Sequence, residues 1–224
     1  MIPRILHQIW IGPYEIPDTE KEYVNTLQSI NKTFKHILWT NDNLPKLPAK
    51  LQRIYNTLGD KGDYAFQADT LRLFLIHEYG GVYLDVDFKP IGTFDDAPFL
   101  MGDGVFFYHQ SWTPNSSPDL TSPNGIFGAV EKSDITAFMI DSIDEHNSWT
   151  GPSWMGETIR GYFGLPNTTP HDLLEIKLQE KNFSYYSFQL LEQHYVVHRA
   201  LASWIPEHQT HFKSGNINFQ KGKK

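Results

Sequence analysis

A chain of 224 residues is long enough for one domain with a full core, and 40% apolar with 20% charged residues is an ordinary balance for a globular protein. Its formal net charge of −7 argues against a duplex nucleic-acid binder, whose affinity rests on Lys and Arg at phosphates. With no cysteine, disulfides, thiolate metal sites and thiol nucleophiles are excluded.

No segment approaches the ~18 apolar residues of a membrane span. The first apolar run, residues 5–11, is short, contains His7 and Gln8 and is followed by no small-residue cleavage pattern, so it does not read as a secretory signal. These features lead to the expectation of a cytoplasmic protein. Lys213, Lys221, Lys223 and Lys224 make residues 213–224 a basic tail. It reads as solvated chain, with peripheral contact to an anionic membrane as the alternative.

The elements alternate in the first half. Residues 5–11 read as a buried strand stopped by Gly12-Pro13. Residues 21–30 carry Tyr23, Val24, Leu27 and Ile30 at helical spacing, and 36–40 form a second strand ended by Asn41-Asp42-Asn43. A weaker helix over 51–58 is closed by Gly59. The clearest helix spans 64–79, with Ala65, Ala68, Leu71, Leu75 and Ile76 on one face, and Gly80-Gly81 ends it. A strand over 82–88 follows. The second half is less regular: strands over 99–108, 124–130 and 195–198, helices over 135–143 and 154–163, and a Pro- and Ser-rich loop over 114–123. This pattern predicts an α/β fold with a Rossmann-like mixed sheet flanked by helices.

In such sheets ligands sit beyond the carboxyl ends of the strands. Trp10 and Gly12, Thr40 and Asn41, and Asp85 with Asp87 all fall there. In the strand over 82–88, period-two alternation points Val82, Leu84, Val86 and Phe88 into a core and places Tyr83, Asp85 and Asp87 on the opposite face. Two adjacent carboxylates repel unless a cation or a shared proton relieves them, and an oxygen pair of this kind suits Mg²⁺ or Mn²⁺ with a substrate phosphate. A polar strand face that merely meets water is the plainer alternative.

Asp69 and Arg72, three apart on the helix over 64–79, share a face. They either pair with each other, or Asp69 accepts sugar hydroxyls while Arg72 neutralises phosphate or holds Asp85. Trp10 is either core or a stacking surface for a nucleobase. His194 and His198 lie four apart without a zinc-protease motif, and His208 and His211 read as solvated; His198 gains meaning only if its strand runs beside Asp85 and Asp87. The chain has no P-loop, no dinucleotide-binding Gly-x-Gly-x-x-Gly after its first strand and no Gly-x-Ser-x-Gly elbow.

Three ordered motifs, Ile2-Pro3-Arg4-Ile5-Leu6-His7-Gln8-Ile9-Trp10-Ile11-Gly12, Ala65-x-x-Ala68-Asp69-x-x-Arg72 and Tyr79-Gly80-Gly81-Val82-Tyr83-Leu84-Asp85-Val86-Asp87, resemble the DXD-motif sugar transferases of glycosyltransferase family 32. That family includes Golgi mannosyltransferases and capsular polysaccharide transferases and is distantly similar to the glucosylating domains of large clostridial toxins. The likeness is dense over residues 1–90 and continues thinly through Asn124, Thr150-Gly151-Pro152 and His198 to Ser203-Trp204.

The resemblance implies a GT-A fold and sugar transfer from a nucleotide diphosphate sugar, a UDP-sugar first and GDP-mannose second. The acceptor would be a glycan, a lipid-linked sugar or a protein, in polysaccharide biosynthesis. It implies one catalytic domain over 1–212, with a nucleotide-sugar-binding half over 1–90 and an acceptor-side half over 91–212. By position, His7, Ile9, Trp10, Tyr64, Asp69, Arg72, Asp85, Asn124 and Trp204 would surround the donor. Asp69, Arg72 and Asp87 would carry catalysis, while Asp85, Asp87 and His198 would hold Mn²⁺ or Mg²⁺. Asp103 is a further candidate for the sugar pocket. Two alternatives are a metal-dependent phosphohydrolase using Asp85 as nucleophile and a non-catalytic sugar-nucleotide binding module.

Overall fold

The computed structural model describes residues 1–100, 104–109, 122–145, 150–187 and 192–199. Asp103, Trp204, His208, His211 and the basic tail lie outside them. The first half alternates β1 (Ile5–Ile9), α1 (Asp18–Ile30), β2 (Lys35–Trp39), α2 (Ala49–Lys61), α3 (Tyr64–Tyr79) and β3 (Gly81–Leu84). A short β4 (Phe88–Pro90) and a 3₁₀ turn (Pro98–Leu100) lead to β5 (Val105–His109) and β6 (Ile126–Ala129). Then come α4 (Asp134–Asp141), α5 (Pro152–Tyr162), α6 (His171–Gln179), β7 (Ser184–Ser187) and β8 (Val196–His198).

Six strands form one sheet in the order β2-β1-β3-β6-β5-β7. β1 runs parallel to both β2 and β3, as crossovers through α1 and through α2–α3 require. β6 then enters antiparallel to β3, and β5 is antiparallel to β6 but parallel to β7. The expected mixed sheet is therefore the observed one. β4 and β8 pair apart from it as a two-stranded antiparallel ribbon.

Both faces of the sheet are covered, which is why its central strands are apolar almost throughout. Ile9, Trp39, Leu71, Leu75, Tyr83 and Phe127 belong to one layer. Leu6, Leu27, Val82, Leu84, Phe88 and Phe106 belong to the other. Gly81 allows the close approach of β1 and β3: its φ is +98°, and a Cβ there would lie 2.5 Å from the Ile5 carbonyl oxygen.

Several expectations are corrected. The single strand over 82–88 is two, with Asp85, Val86 and Asp87 in the turn between β3 and β4. Tyr83 does not face water with the carboxylates; it is 1% exposed, because the second face of β3 is core as well. The helix over 51–58 runs on through Gly59 and ends at Gly62, whose φ of +76° turns the chain. The strand over 99–108 begins only at Val105. Neither α6 nor β7 was anticipated: α6 buries only Leu174 and Leu178, so its pattern is faint.

Candidate active site

A buried polar cluster is built on α3, whose centre is buried all round. Asp69 and Arg72 share a face there, with side chains 12% and 7% exposed. A buried guanidinium must be paired, and this one is met on several sides. Arg72 Nη2 lies 3.1 Å from Asp69 Oδ1 and 3.1 Å from Asp85 Oδ1, so both pairings considered for it occur at once. Its Nη1 donates to the Asn124 carbonyl at 2.7 Å, and its Cζ sits 4.5 Å from the centre of the Tyr83 ring. The Tyr83 hydroxyl donates to Asp85 Oδ1 at 2.5 Å. Asn124 closes the cluster, its Nδ2 donating to Asp69 Oδ1 at 2.8 Å and to the Thr150 carbonyl at 3.2 Å.

Two carboxylates sharing one guanidinium in a buried place do not both ionise at their ordinary values. Burial pushes Asp69 up to about 6, against the pull of Arg72. Burial raises Asp85 too, again opposed by Arg72, with the Asp87 charge adding to the rise. Burial opposes the charge of Arg72, but Asp85, Tyr83 and Asp69 outweigh it and hold the guanidinium protonated.

Asp87 stands on the other side of the turn. Its Oδ2 is 3.5 Å from His198 Nε2, and the Arg199 amide donates to its carbonyl at 3.2 Å. The condition set for His198 is met: β8 pairs with β4 so that His198 lies opposite Phe88, the two rings stacked at 4.4 Å. Burial works against a charge on His198, while Asp87 and Asp85 push its pKa upward.

Three carboxyl groups gather at this turn with one guanidinium and one imidazole. Oxygen donors with one imidazole nitrogen fit a divalent cation such as Mn²⁺ or Mg²⁺. Asp85, Asp87 and His198 are not a preassembled three-ligand cage, however; no such cluster exists among the described residues, and Asp85 Oδ1 is turned to Arg72 and Tyr83. The residues therefore fit an ion that takes part of its shell from a bound phosphate or water, as Mg²⁺ commonly does.

Trp10 is half-buried at the end of β1, and its Nε1 donates to the Tyr14 carbonyl at 2.8 Å. Gly12 is seated against Tyr64, where a Cβ would lie 2.9 Å from ring Cγ. The Asn41 carboxamide clasps both peptide groups of Gly12: the Gly12 amide donates to Asn41 Oδ1 at 3.2 Å, and Asn41 Nδ2 donates to the Gly12 carbonyl at 2.7 Å. Trp10 and Tyr64 thus line one rim, beyond the ends of β1 and β2.

Two expected donor contacts are corrected. His7 is fully buried; Nε2 donates to the Gly80 carbonyl at 2.9 Å and Nδ1 accepts from Trp39 Nε1 at 3.0 Å, so both ring nitrogens are used inside the fold. Desolvation lowers its pKa to about 4. Ile9 is 5% exposed and packs in the core layer with Trp39. Conversely, Tyr83 and Gly125 belong to the cluster without having been singled out as binding residues, while Asn41 lies at the rim where the strand pattern placed it. The period-two relation of Tyr83 to Asp85 was a usable signal. Gly125, where a Cβ would meet Asp85 Oδ2 at 2.7 Å, had none.

Residues 17–103 match the family described as a glycosyltransferase sugar-binding region containing a DXD motif. The chain is 29% identical over 241 residues to an uncharacterized glycosyltransferase of Acanthamoeba polyphaga mimivirus, covering 98% of this chain and 89% of that one. It is also 29% identical over 124 residues to inositol phosphoceramide mannosyltransferase 3 of Schizosaccharomyces pombe, covering 55% of this chain but only 32% of that protein. Among solved structures, the PaToxG glycosyltransferase superposes with a TM-score of 0.58 at 14% identity, over 80% of this chain and 83% of that one. The ligand-free glycosyltransferase domain from the YGT toxin gives 0.52 at 12% identity, over 93% and 82%. At such identities the last two likenesses are likenesses of fold.

Proposed function

We propose that this chain, whose fold is that of GT-A glycosyltransferase domains and whose residues 17–103 match the DXD-containing sugar-binding region, is a glycosyltransferase that transfers a sugar from a nucleotide diphosphate sugar with the help of Mn²⁺ or Mg²⁺. The observation that carries this reading is Arg72 bridging Asp69 and Asp85 beside the Asp87–His198 pair. A UDP-sugar or GDP-mannose is the donor; the fission-yeast relative, named as an inositol phosphoceramide mannosyltransferase, supports mannose and a lipid acceptor. Glycan and protein acceptors belong to the same reading. So does a single catalytic domain over 1–212, its first 90 residues facing the donor. Among the described residues, no helix is long and apolar enough to cross a membrane.

Trp10 and Tyr64 would flank the base, and Asp69 and Asn124 would accept and donate hydrogen bonds to the sugar. Breaking the anomeric C–O bond leaves negative charge on the diphosphate, so the site must supply fixed positive charge there. Arg72 supplies part of it, held in place by two carboxylates and the face of Tyr83. A divalent cation held by Asp85, Asp87 and His198 would supply the rest as a Lewis acid. Asp85 depends on Arg72 and Tyr83 for its orientation.

The test is cleavage of a panel of UDP- and GDP-sugars with Mn²⁺, with Mg²⁺ and with chelator, in the wild type and in Asp87→Asn. The expected result is slow, cation-dependent release of one nucleotide, reduced at least a hundredfold in a variant that unfolds like the wild type. Undiminished, cation-dependent cleavage by Asp87→Asn would overturn the assignment of Asp87.

A further inference from the structure

β1 and β3 pair backbone to backbone only as far as His7 and Tyr83, whereas β1 stays with β2 through Ile9 and Trp39. The chain therefore leaves β1 just before the turn that carries Asp85 and Asp87. On its far side the turn remains tied to the segment leading into β6, the Asp85 amide donating to the Gly125 carbonyl at 2.8 Å. On the β1 side a side chain takes over from the ladder. Gln8 Nε2 donates to the Asp85 carbonyl at 3.5 Å, and the Phe88 amide donates to the same oxygen at 3.4 Å.

Gln8 is fully buried, and period two sets it on the face of the sheet that carries Leu6, Val82 and Leu84. A carboxamide in such a layer is destabilising unless its two ends are paired. Its Oε1 accepts from His36 Nε2 at 2.8 Å. The register places His36 opposite Leu6, so the ring reaches Gln8 along the diagonal between β1 and β2. Burial lowers the pKa of His36, so the ring is neutral and the proton that Gln8 receives sits on Nε2.

A carboxamide has one donor end and one acceptor end. By occupying the acceptor end, His36 turns the donor end toward Asp85; a reversed amide would set oxygen against oxygen there. Arg72 and Tyr83 hold the Asp85 carboxylate from the α3 side, while Gln8 holds the Asp85 peptide from the opposite face of the sheet.

We propose that Gln8 is a positioning residue for the cation-binding turn, its amide, oriented by His36, fixing the Asp85 peptide so that Asp85 and Asp87 stand ready for one divalent ion. Gln8 itself, sealed inside the fold, touches no ligand. The proposal rests on the nucleotide-sugar reading above.

The test compares the full wild-type chain with three variants. Gln8→Met keeps the length of the side chain and removes the amide. His36→Leu leaves the Gln8 amide free to reverse, and His36→Gln returns a donor in place of Nε2. Amide hydrogen exchange, followed without cation or nucleotide, is expected to quicken at least tenfold at Asp85 and Phe88 relative to the amides of β1 and β2 in Gln8→Met and His36→Leu. In His36→Gln it should return to within twofold of the wild type. The Mn²⁺ concentration that half-saturates the chain in the presence of UDP or GDP, whichever the wild type binds more tightly, should rise at least fivefold in the first two variants and recover in the third. Affinity for that nucleotide in chelator should stay within twofold throughout. Exchange at Asp85 and Phe88 that rises only in step with β1 and β2 in Gln8→Met would make the amide a strut of the sheet and overturn the proposal; so would an unchanged Mn²⁺ requirement. If Gln8→Met does not fold, the His36 pair decides, and equal exchange at Asp85 in His36→Leu and His36→Gln overturns it. Failure of the nucleotide-sugar reading is a different result: no donor is cleaved by the wild type, while the exchange difference at Asp85 persists.

Discussion

Asp85 is the residue on which the site's geometry converges, and Tyr83 is what orients it. The Tyr83 ring supports Arg72 from one side while its hydroxyl reaches Asp85 Oδ1, so one side chain fixes both members of an ion pair. Tyr83→Phe separates these roles: the ring stays under the guanidinium and the hydrogen bond goes. A hydrogen bond to an ionised group contributes about 1.5–3 kcal/mol, so cleavage is expected to fall roughly ten- to a hundredfold. The loss should include a raised requirement for the divalent cation, since Asp85 loses a contact that favours its charged form. Cation titrations of activity check this; an unchanged cation requirement would show that Arg72 alone orients Asp85. Gly125 works from the opposite side, leaving room for Asp85 Oδ2.

At the level of elements, the site is a consequence of α3 and β3 meeting through Gly80-Gly81. The helix delivers Asp69 and Arg72, the strand delivers Tyr83 and Asp85, and the tight connection holds them within hydrogen-bond reach. Gly81→Ala tests that connection. Its φ of +98° strains any other residue, and the Cβ would lie 2.5 Å from the Ile5 carbonyl oxygen, which the β1–β3 pairing cannot yield. The variant is expected to lose about 3 kcal/mol or more, read from urea unfolding; a loss near zero would mean that β1 and β3 can separate without cost. This part of the molecule was legible because glycines, helix period and strand period speak locally. The break at Asp85–Asp87 was not, since a residue pattern does not say where a strand leaves its sheet. The same holds for β7 and for the pairing of β8 with β4, which depend on contacts far apart in the chain. His7 misled for a related reason: the resemblance placed it at the donor by position, and the partners that hold its ring inside the fold, Gly80 and Trp39, lie far along the chain.

For the whole molecule, the buried groups that the fold holds away from their ordinary protonation states pull stability in opposite directions with pH. His7 has a folded pKa of about 4 against an ordinary 6.5, so between these values the unfolded chain carries a proton that the folded one refuses. Its contribution is present above 6.5 and is lost as pH falls toward 4. Asp69, raised from 3.8 to about 6, does the reverse: the folded chain holds the proton, and the contribution is present below 3.8 and lost as pH rises through 6. Each shift corresponds to about 3 kcal/mol at most. His36, lowered by burial, sides with His7, while Asp85 and Glu20, both raised by burial, side with Asp69. Over pH 4–6 the two sets oppose each other, so the wild type in chelator should change less in stability than a variant that lacks a group from one set. His7→Gln keeps a donor for the Gly80 carbonyl without a titrating ring, and it should become more stable on acidification relative to the wild type. Asp69→Asn should become less stable over the same interval. Urea unfolding of the three proteins at pH 4, 5 and 6 separates the slopes; a His7→Gln profile parallel to the wild type would mean that the His7 ring takes up its proton inside the fold.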